Sequence, residues 1–200
     1  MDISKEFFQQ SVEKLDKADV PVSEIPNIEL YMEQMTEFIN KRLADSKRMA
    51  GGTVFTKAMI NNYTKAGLLN PPNKKKYNKE HIILLLLMHH LKSVLSIADI
   101  KTLYAPILKN MDQSEVDDEI ISLENIYETF LELKDAEYST IADDFQKRFF
   151  IIKDETTKIS NDKKQDMAEA FLTVLMLVAE ATIAKRLAED IIDNFIAGGN

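Results

Sequence analysis

The stretch T-K-A-M-I-N-N-Y-T-K-A-G-L-L, residues 56–69, decides how this chain is read. Lys57, Asn61 and Lys65 recur every four residues. Positions i and i+4 of a helix lie above one another, so the three share one polar face. Met59, Ile60, Tyr63 and Ala66 fall on the opposite, apolar face. The Thr56 hydroxyl is placed to cap the first turn, and Gly67 to end the helix in a left-handed conformation. A short helix with an apolar back and a Lys/Asn front is what a major-groove reader requires, and Ala58 and Asn62 complete its candidate contact set. Asn pairs bidentately with adenine, whereas lysines position a helix on phosphates. Taken alone, the same stripe would read as an ordinary solvated face.

The surroundings turn the reading toward nucleic acid. Residues 70–77, N-P-P-N-K-K-K-Y, follow the helix. Lys74, Lys75 and Lys76 between two prolines and Tyr77 predict a short basic wing against phosphate or minor groove, with Lys79 just beyond it. Asn78 suits the N-cap of a helix from 79 to about 92, whose Ile82, Ile83, Leu84, Leu85, Leu86 and Leu87 place it at the centre of the fold. Ser96 and Asp99 form a capping-box pattern for a helix through about 108. Upstream, residues 2–17 read as an amphipathic helix with Phe7, Phe8, Val12 and Leu15 as apolar contacts, and 20–26 as a linker. A second helix is expected from near Asn27, carrying Leu30, Tyr31, Met35, Phe38, Ile39 and Leu43, and ended by Lys47-Arg48 and Gly51-Gly52.

After about residue 110 the chain turns acidic, and helices are expected over 114–134, 140–153 and 162–195. In the last, Met167, Phe171, Val174, Leu175, Val178, Ile183, Leu187 and Ile191 stand at near-heptad spacing. That stripe reads first as bundle core and second as the seam of a homodimer. The expected organisation is an N-terminal helix and linker (1–26), a helix-turn-helix domain (27–110) and an acidic helical domain (111–200).

Charge is divided along the chain. Residues 41–101 hold twelve Lys/Arg and three acids (+9), whereas the rest hold thirteen and thirty (−17), summing to the net −8. A basic segment in an acidic chain points to phosphate contact by that segment, because such contacts act within about 8 Å at physiological salt. With few Gly and Pro and no Cys among 200 residues, an all-α fold without disulfides or thiolate metal sites is expected. His81 and His89 stand two turns apart, about 12 Å along a helix, and His89 and His90 diverge by about 100°, so no shared zinc is expected. The acids Asp112, Glu115, Asp117, Asp118 and Glu119 follow no calcium-loop pattern, and Asp143-Asp144 and Asp190/Asp193 read as solvated faces. There is no Gly-rich phosphate loop and no nucleophile–base pattern, so the expectation is a protein without enzymatic activity or cofactor. The first ten residues carry acids and Gln rather than a basic and then apolar leader. The longest unbroken apolar run, 82–88, is too short for a bilayer, and a cytoplasmic location is expected.

Residues 53–104 together resemble the MerR-type winged helix-turn-helix, whose recognition helix has the form S-x-x-T-I-R-Y-Y-E-x-x-G-L-L. Thr56 takes the Ser position, Ile60 the Ile, Tyr63 the second Tyr, and Gly67-Leu68-Leu69 the final G-L-L. The run from Lys76 follows the wing-to-helix pattern, and Leu95 to Ile100 the G-F-S-L-E-E-I segment. The arrangement is similar to that of a bacterial family, domain of unknown function number 1836. Asn61 stands where the MerR pattern has Arg, Asn62 replaces the first Tyr, Thr64 replaces the Glu, and the wing is short. The resemblance implies a DNA-binding transcriptional regulator, dimeric through its C-terminal helices. The substituted Arg and reduced wing set beside it an alternative, a helical protein-interaction adaptor that kept the fold and lost DNA binding. An unidentified small-molecule effector in the C-terminal bundle is a third option.

Overall fold

The computed structural model describes residues 5–16, 19–46, 53–111 and 122–198. Those residues form seven α-helices and one two-stranded ribbon, an all-α architecture. In chain order they are α1 (Lys5–Asp16), β1 (Leu30–Tyr31), α2 (Met32–Arg42), α3 (Lys57–Ala66), β2 (Lys76–Tyr77), α4 (Lys79–Leu91), α5 (Ile97–Met111), α6 (Leu123–Thr156) and α7 (Asp162–Ile191), the last continued by a π-helical turn (Ile192–Ile196).

The core is built around α4. Its residues from Ile82 to Met88 are all buried, and a helix apolar on every side can satisfy itself only when covered on every side. α2, β2 and α6 supply that cover. Asn78 caps α4, its side chain accepting from the His81 backbone N–H at 3.2 Å. Two buried tyrosines fasten distant segments to the core. The Tyr104 hydroxyl donates to the Leu84 carbonyl (2.8 Å), and that of Tyr127, on α6, donates to the Val20 carbonyl (3.0 Å). The start of α6 and the segment before β1 therefore share one interior with the α2–α5 region. α5 begins with the expected capping box, Ser96 N–H to Asp99 Oδ2 at 3.1 Å and Asp99 N–H to Ser96 Oγ at 3.2 Å.

Several expectations are corrected. The helix foreseen from Asn27 begins at Met32, because Leu30 and Tyr31 are extended and pair antiparallel with Tyr77 and Lys76. The break foreseen between residues 134 and 140 does not exist. Asp135 to Ser139 include no Gly or Pro, and α6 runs unbroken for 34 residues. On α1, Phe8 stacks on Phe145 of α6 with ring centroids 4.5 Å apart, while Phe7 faces outward. Lys47, Arg48, Gly51, Gly52, the acids between Asp112 and Glu119, and the side chains of Val12 and Leu15 lie outside the described residues.

Candidate nucleic-acid interface

α3 is defined at both ends by its sequence. The Thr56 hydroxyl accepts from Met59 N–H at 3.2 Å. Gly67 sits at φ 73°, and the Gly67 and Leu68 N–H groups close back onto the Thr64 and Tyr63 carbonyls at 3.1 and 2.9 Å. A β-carbon at Gly67 would meet the Lys101 side chain only at 3.8 Å, so the left-handed φ and not crowding requires glycine there. Ile60 is buried, and Met59 and Tyr63 are half-buried against the core. Lys57, Ala58, Asn61, Asn62 and Lys65 are all exposed, forming one front from the first turn to the last.

What fixes this front in space is a residue that spacing could not reveal. Asn40 of α2 clamps the two residues before the Thr56 cap. Its Oδ1 accepts from Val54 N–H (2.8 Å) and Phe55 N–H (3.0 Å), and its Nδ2 donates to the Phe55 carbonyl (2.8 Å). Lys92 holds the same segment as well, donating to the Val54 carbonyl at 3.2 Å with its ammonium 4.1 Å from the centre of the buried Phe55 ring. Burial lowers the Lys92 pKa below the ordinary lysine range. Between α2 and the start of α3 lies an open groove of about 380 Å³, lined by Glu33, Thr36, Asn40, Phe55, Thr56 and Lys57 among others.

The wing is a tight turn. Lys76 N–H donates to the Asn73 carbonyl at 2.9 Å, and the two central residues, Lys74 and Lys75, have φ of 48° and 66°. Positive φ at both centres is the hallmark of a type I′ hairpin turn, where Asn-Gly is the usual pair. Two lysines in left-handed conformation are each disfavoured by roughly 1–2 kcal/mol relative to ordinary backbone. Both are exposed. Tyr77 is not: it is 3% exposed, packs edge-on against His81 at 5.3 Å, and anchors the wing from inside. Burial, and secondarily the charge of Glu33, raises its pKa.

The electrostatics differ from the segment count. Lys57 pairs with Glu33, whose carboxyl is held below the usual range chiefly by that hydrogen bond. Lys76 lies 3.7 Å from Glu29 and over the Tyr31 ring. Lys79, 17% exposed, pairs with Glu124 at 2.6 Å and is withdrawn from the front. Each of these acids comes from outside the 41–101 segment, so folding cancels charge that a count along the chain leaves whole. Lys65, Lys74 and Lys75 keep no ion-pair partner among the described residues, and Lys101 adds a cation beside the end of α3.

The histidines are engaged locally. His81 Nδ1 faces Asn78, and its Nε2 lies 3.2 Å from the Asn70 carbonyl. His89 and His90 have ring centroids 5.6 Å apart, and His90 meets Phe130 at 5.1 Å.

No curated protein and no solved structure is matched by this chain. One family model is, over residues 20–130, a span running from the buried Val20 through α5 and into the first turns of α6. That match covers more than half of the 200 residues, and the chain belongs to the family described as Domain of unknown function (DUF1836).

Proposed function

We propose that the protein is a DNA-binding transcriptional regulator, with Asn61 and Asn62 of α3 facing bases, Lys57 and Lys65 seating the helix on phosphates, and the 74–76 wing gripping the backbone beside it. The observation that carries this reading is the wing tip. Two consecutive exposed lysines are held in a conformation that disfavours them, next to a capped helix with a Lys/Asn front. Strain kept at an exposed cationic tip is explained by a polyanionic ligand.

The test is a mobility shift on the protein's own promoter region across salt concentrations. With about three to five lysines on phosphates, log Kobs should fall with log salt at a slope of about −2.7 to −4.5 per copy. Lys57→Ala combined with Lys65→Ala should abolish most of the binding. Absence of binding at low salt, or indifference to that double substitution, would sink the proposal.

The MerR-like helix-turn-helix arrangement belongs to the same reading, supported by the α3 caps and by the lysine turn that stands between α3 and α4. The adaptor alternative draws on the Glu33–Lys57 and Glu29–Lys76 pairs, which shield part of the front. Exposed pairs are worth about 0–1 kcal/mol, small enough for a phosphate to displace. Under the DNA reading Glu33→Gln frees Lys57 and should tighten binding by about 3- to 10-fold at low salt. Under the adaptor reading it changes nothing measurable.

The wing supplies a prediction in which stability and affinity move in opposite senses. Lys74→Asn with Lys75→Gly provides the residues that a type I′ turn favours and should stabilise the fold by about 1–2 kcal/mol. The same change should weaken DNA binding by removing two cations. Urea denaturation together with the mobility shift checks both; a destabilised variant would refute the turn assignment.

A further inference from the structure

α7 carries two heptad-spaced stripes, and their chemistry is inverted. Glu169, Thr173, Met176 and Glu180, spaced 4-3-4, lie toward α6. Glu169 and Thr173 are buried, Glu169 accepting from the Thr156 hydroxyl and the Gln165 amide at 3.1 Å, and Glu180 pairs with Arg148. Met167, Phe171, Val174 and Val178, also spaced 4-3-4, lie on the outward side with Leu175 beside them; all are exposed, Met167 to 73%. The stripe whose spacing reads first as bundle core is thus bare, the reverse of what a lone hairpin in water would keep. Cations bracket it on the same side. At about 100° per residue, Lys163 and Lys164 precede Met167, and Lys185 and Arg186 follow Val178, within one half of the helix surface. All four are exposed. Between them the acids of α7, Asp166, Glu169 and Glu180, fall in the other half.

We propose that this outward face of α7 docks on an anionic phospholipid surface, with the helix lying flat in the membrane interface. The apolar side chains enter at the boundary between headgroups and acyl chains, while the Lys and Arg stems run along them and hold their charges among the lipid phosphates. Residues 162–196 are long and apolar enough to cross a membrane by length and composition. The fold argues for lying on it instead. Ile192, at the end of the same helix, is buried in the core, and crossing would pull it out. A flat helix leaves Ile192 in place and keeps the Glu180–Arg148 pair on the side away from lipid. Asp143 and Asp144 of α6 then stand about a helix diameter further off, beyond the roughly 8 Å over which charges act at physiological salt.

The competing occupant is a second copy of the chain, and the bracket of cations decides against it. A two-fold axis presents one face to itself. An antiparallel pair centred between Val174 and Leu175 sets Lys163 and Lys164 of each copy beside Lys185 and Arg186 of the other. A parallel pair sets each cation against its own counterpart. Both place like charges together at each end of the contact, whereas lipid phosphates neutralise them. Lys163 and Lys164 have no ion-pair partner among the described residues. Lys185 reaches Glu189 at 3.7 Å and Arg186 reaches Asp190 at 3.0 Å, exposed pairs weak enough to yield to phosphate. The inference does not rest on the DNA reading.

Flotation of the full chain with vesicles tests it. The chain should float with vesicles of phosphatidylcholine and phosphatidylglycerol in equal parts, and should bind pure phosphatidylcholine at least about 10-fold more weakly. Phe171→Glu with Val178→Glu should abolish flotation with helicity retained. Ile183→Glu, exposed on the same helix but about 140° round from Val178, should leave it intact. Lys163→Gln with Lys164→Gln should weaken binding to the anionic vesicles by roughly 10-fold and leave binding to phosphatidylcholine unchanged. As the chain has no tryptophan, Phe171→Trp supplies a single reporter that does not depend on a charged variant folding. Its emission should shift to the blue on adding anionic vesicles, and that of Ile183→Trp should not. No flotation together with an unshifted Phe171→Trp emission would overturn the proposal. So would a chain that fails to float, sediments at twice the 22.9 kDa of one chain and becomes monomeric on Phe171→Glu, which would assign the face to a second copy.

Discussion

Asn40→Ala should lower the melting temperature by about 6–12 °C. Asn40 satisfies three backbone groups of residues that are themselves buried, two N–H donors and one carbonyl. Truncation leaves those groups without the amide, at the edge of the open groove that Asn40 and Phe55 line. Each buried group left unsatisfied costs about 1–3 kcal/mol, with partial relief where water reaches it, so a total of about 3 kcal/mol is reasonable. For a chain of this size each kcal/mol shifts the transition by roughly 2–4 °C. Asn40→Asp separates the contributions. It keeps an oxygen for the Val54 and Phe55 N–H groups but loses the donor to the Phe55 carbonyl and faces it with a carboxylate. Its loss should lie between wild type and Asn40→Ala, and deepen as pH rises through the carboxylate range. Calorimetry on the three proteins measures this, and an Asn40→Ala transition within 1 °C of wild type would show that the clamp contributes nothing. The functional consequence follows from position: Val54 and Phe55 lead directly into the Thr56 cap, so a released clamp loosens the start of α3.

That residue also marks where sequence reasoning stops. Local features were legible because their cause is local. The Thr56 hydroxyl reaches its own helix three residues on, Gly67 answers a φ requirement at its own position, and Ser96 and Asp99 bond each other. The burial of α4 was legible because seven consecutive apolar residues leave no face for water. Asn40 bonding residues 14 and 15 positions away, or Glu33 neutralising Lys57 from 24 away, leaves no trace in spacing. The wing was half legible. Its lysines were evident, but their left-handed backbone was not, since nothing in K-K proposes a turn that Asn-Gly normally makes. Tyr77 was misplaced because an aromatic after a basic run can stack outward or anchor inward, and only the α4 packing decides. In α7 the heptad spacing was evident, but two interleaved stripes satisfy it, and which one turns toward α6 is a tertiary fact.

A second large effect is expected from acid. His90 sits near the end of α4, its ring against Phe130 and its Nε2 3.7 Å from Asp19 Oδ1, while Lys134 pairs with Asp19 on the other oxygen. Burial pushes the His90 pKa down to about 4, and the Lys134 charge pushes in the same direction. The imidazole is therefore neutral in the folded protein throughout the range in which an unfolded histidine, with pKa about 6.5, takes up a proton. The folded-state pKa is depressed, so the unfolded chain binds more protons between about pH 6.5 and 4. The stabilisation is fully present above that window and is lost as pH falls through it. Its full size is about 3 kcal/mol. Asp19 works in the opposite sense, because burial raises its pKa against the hydrogen bond from Lys134, and a folded state that holds a proton more tightly gains stability on acidification. The net slope of the wild type therefore mixes the two groups, and the difference from His90→Gln isolates the histidine. Urea denaturation at pH 7, 6, 5 and 4.5 should give wild-type stabilities that fall more steeply than those of His90→Gln, the two curves converging by about 2–3 kcal/mol at the acidic end. Parallel curves would mean that His90 titrates alike in both states, and that water or Asp19 reaches it more freely than its packing against Phe130 and Lys134 allows.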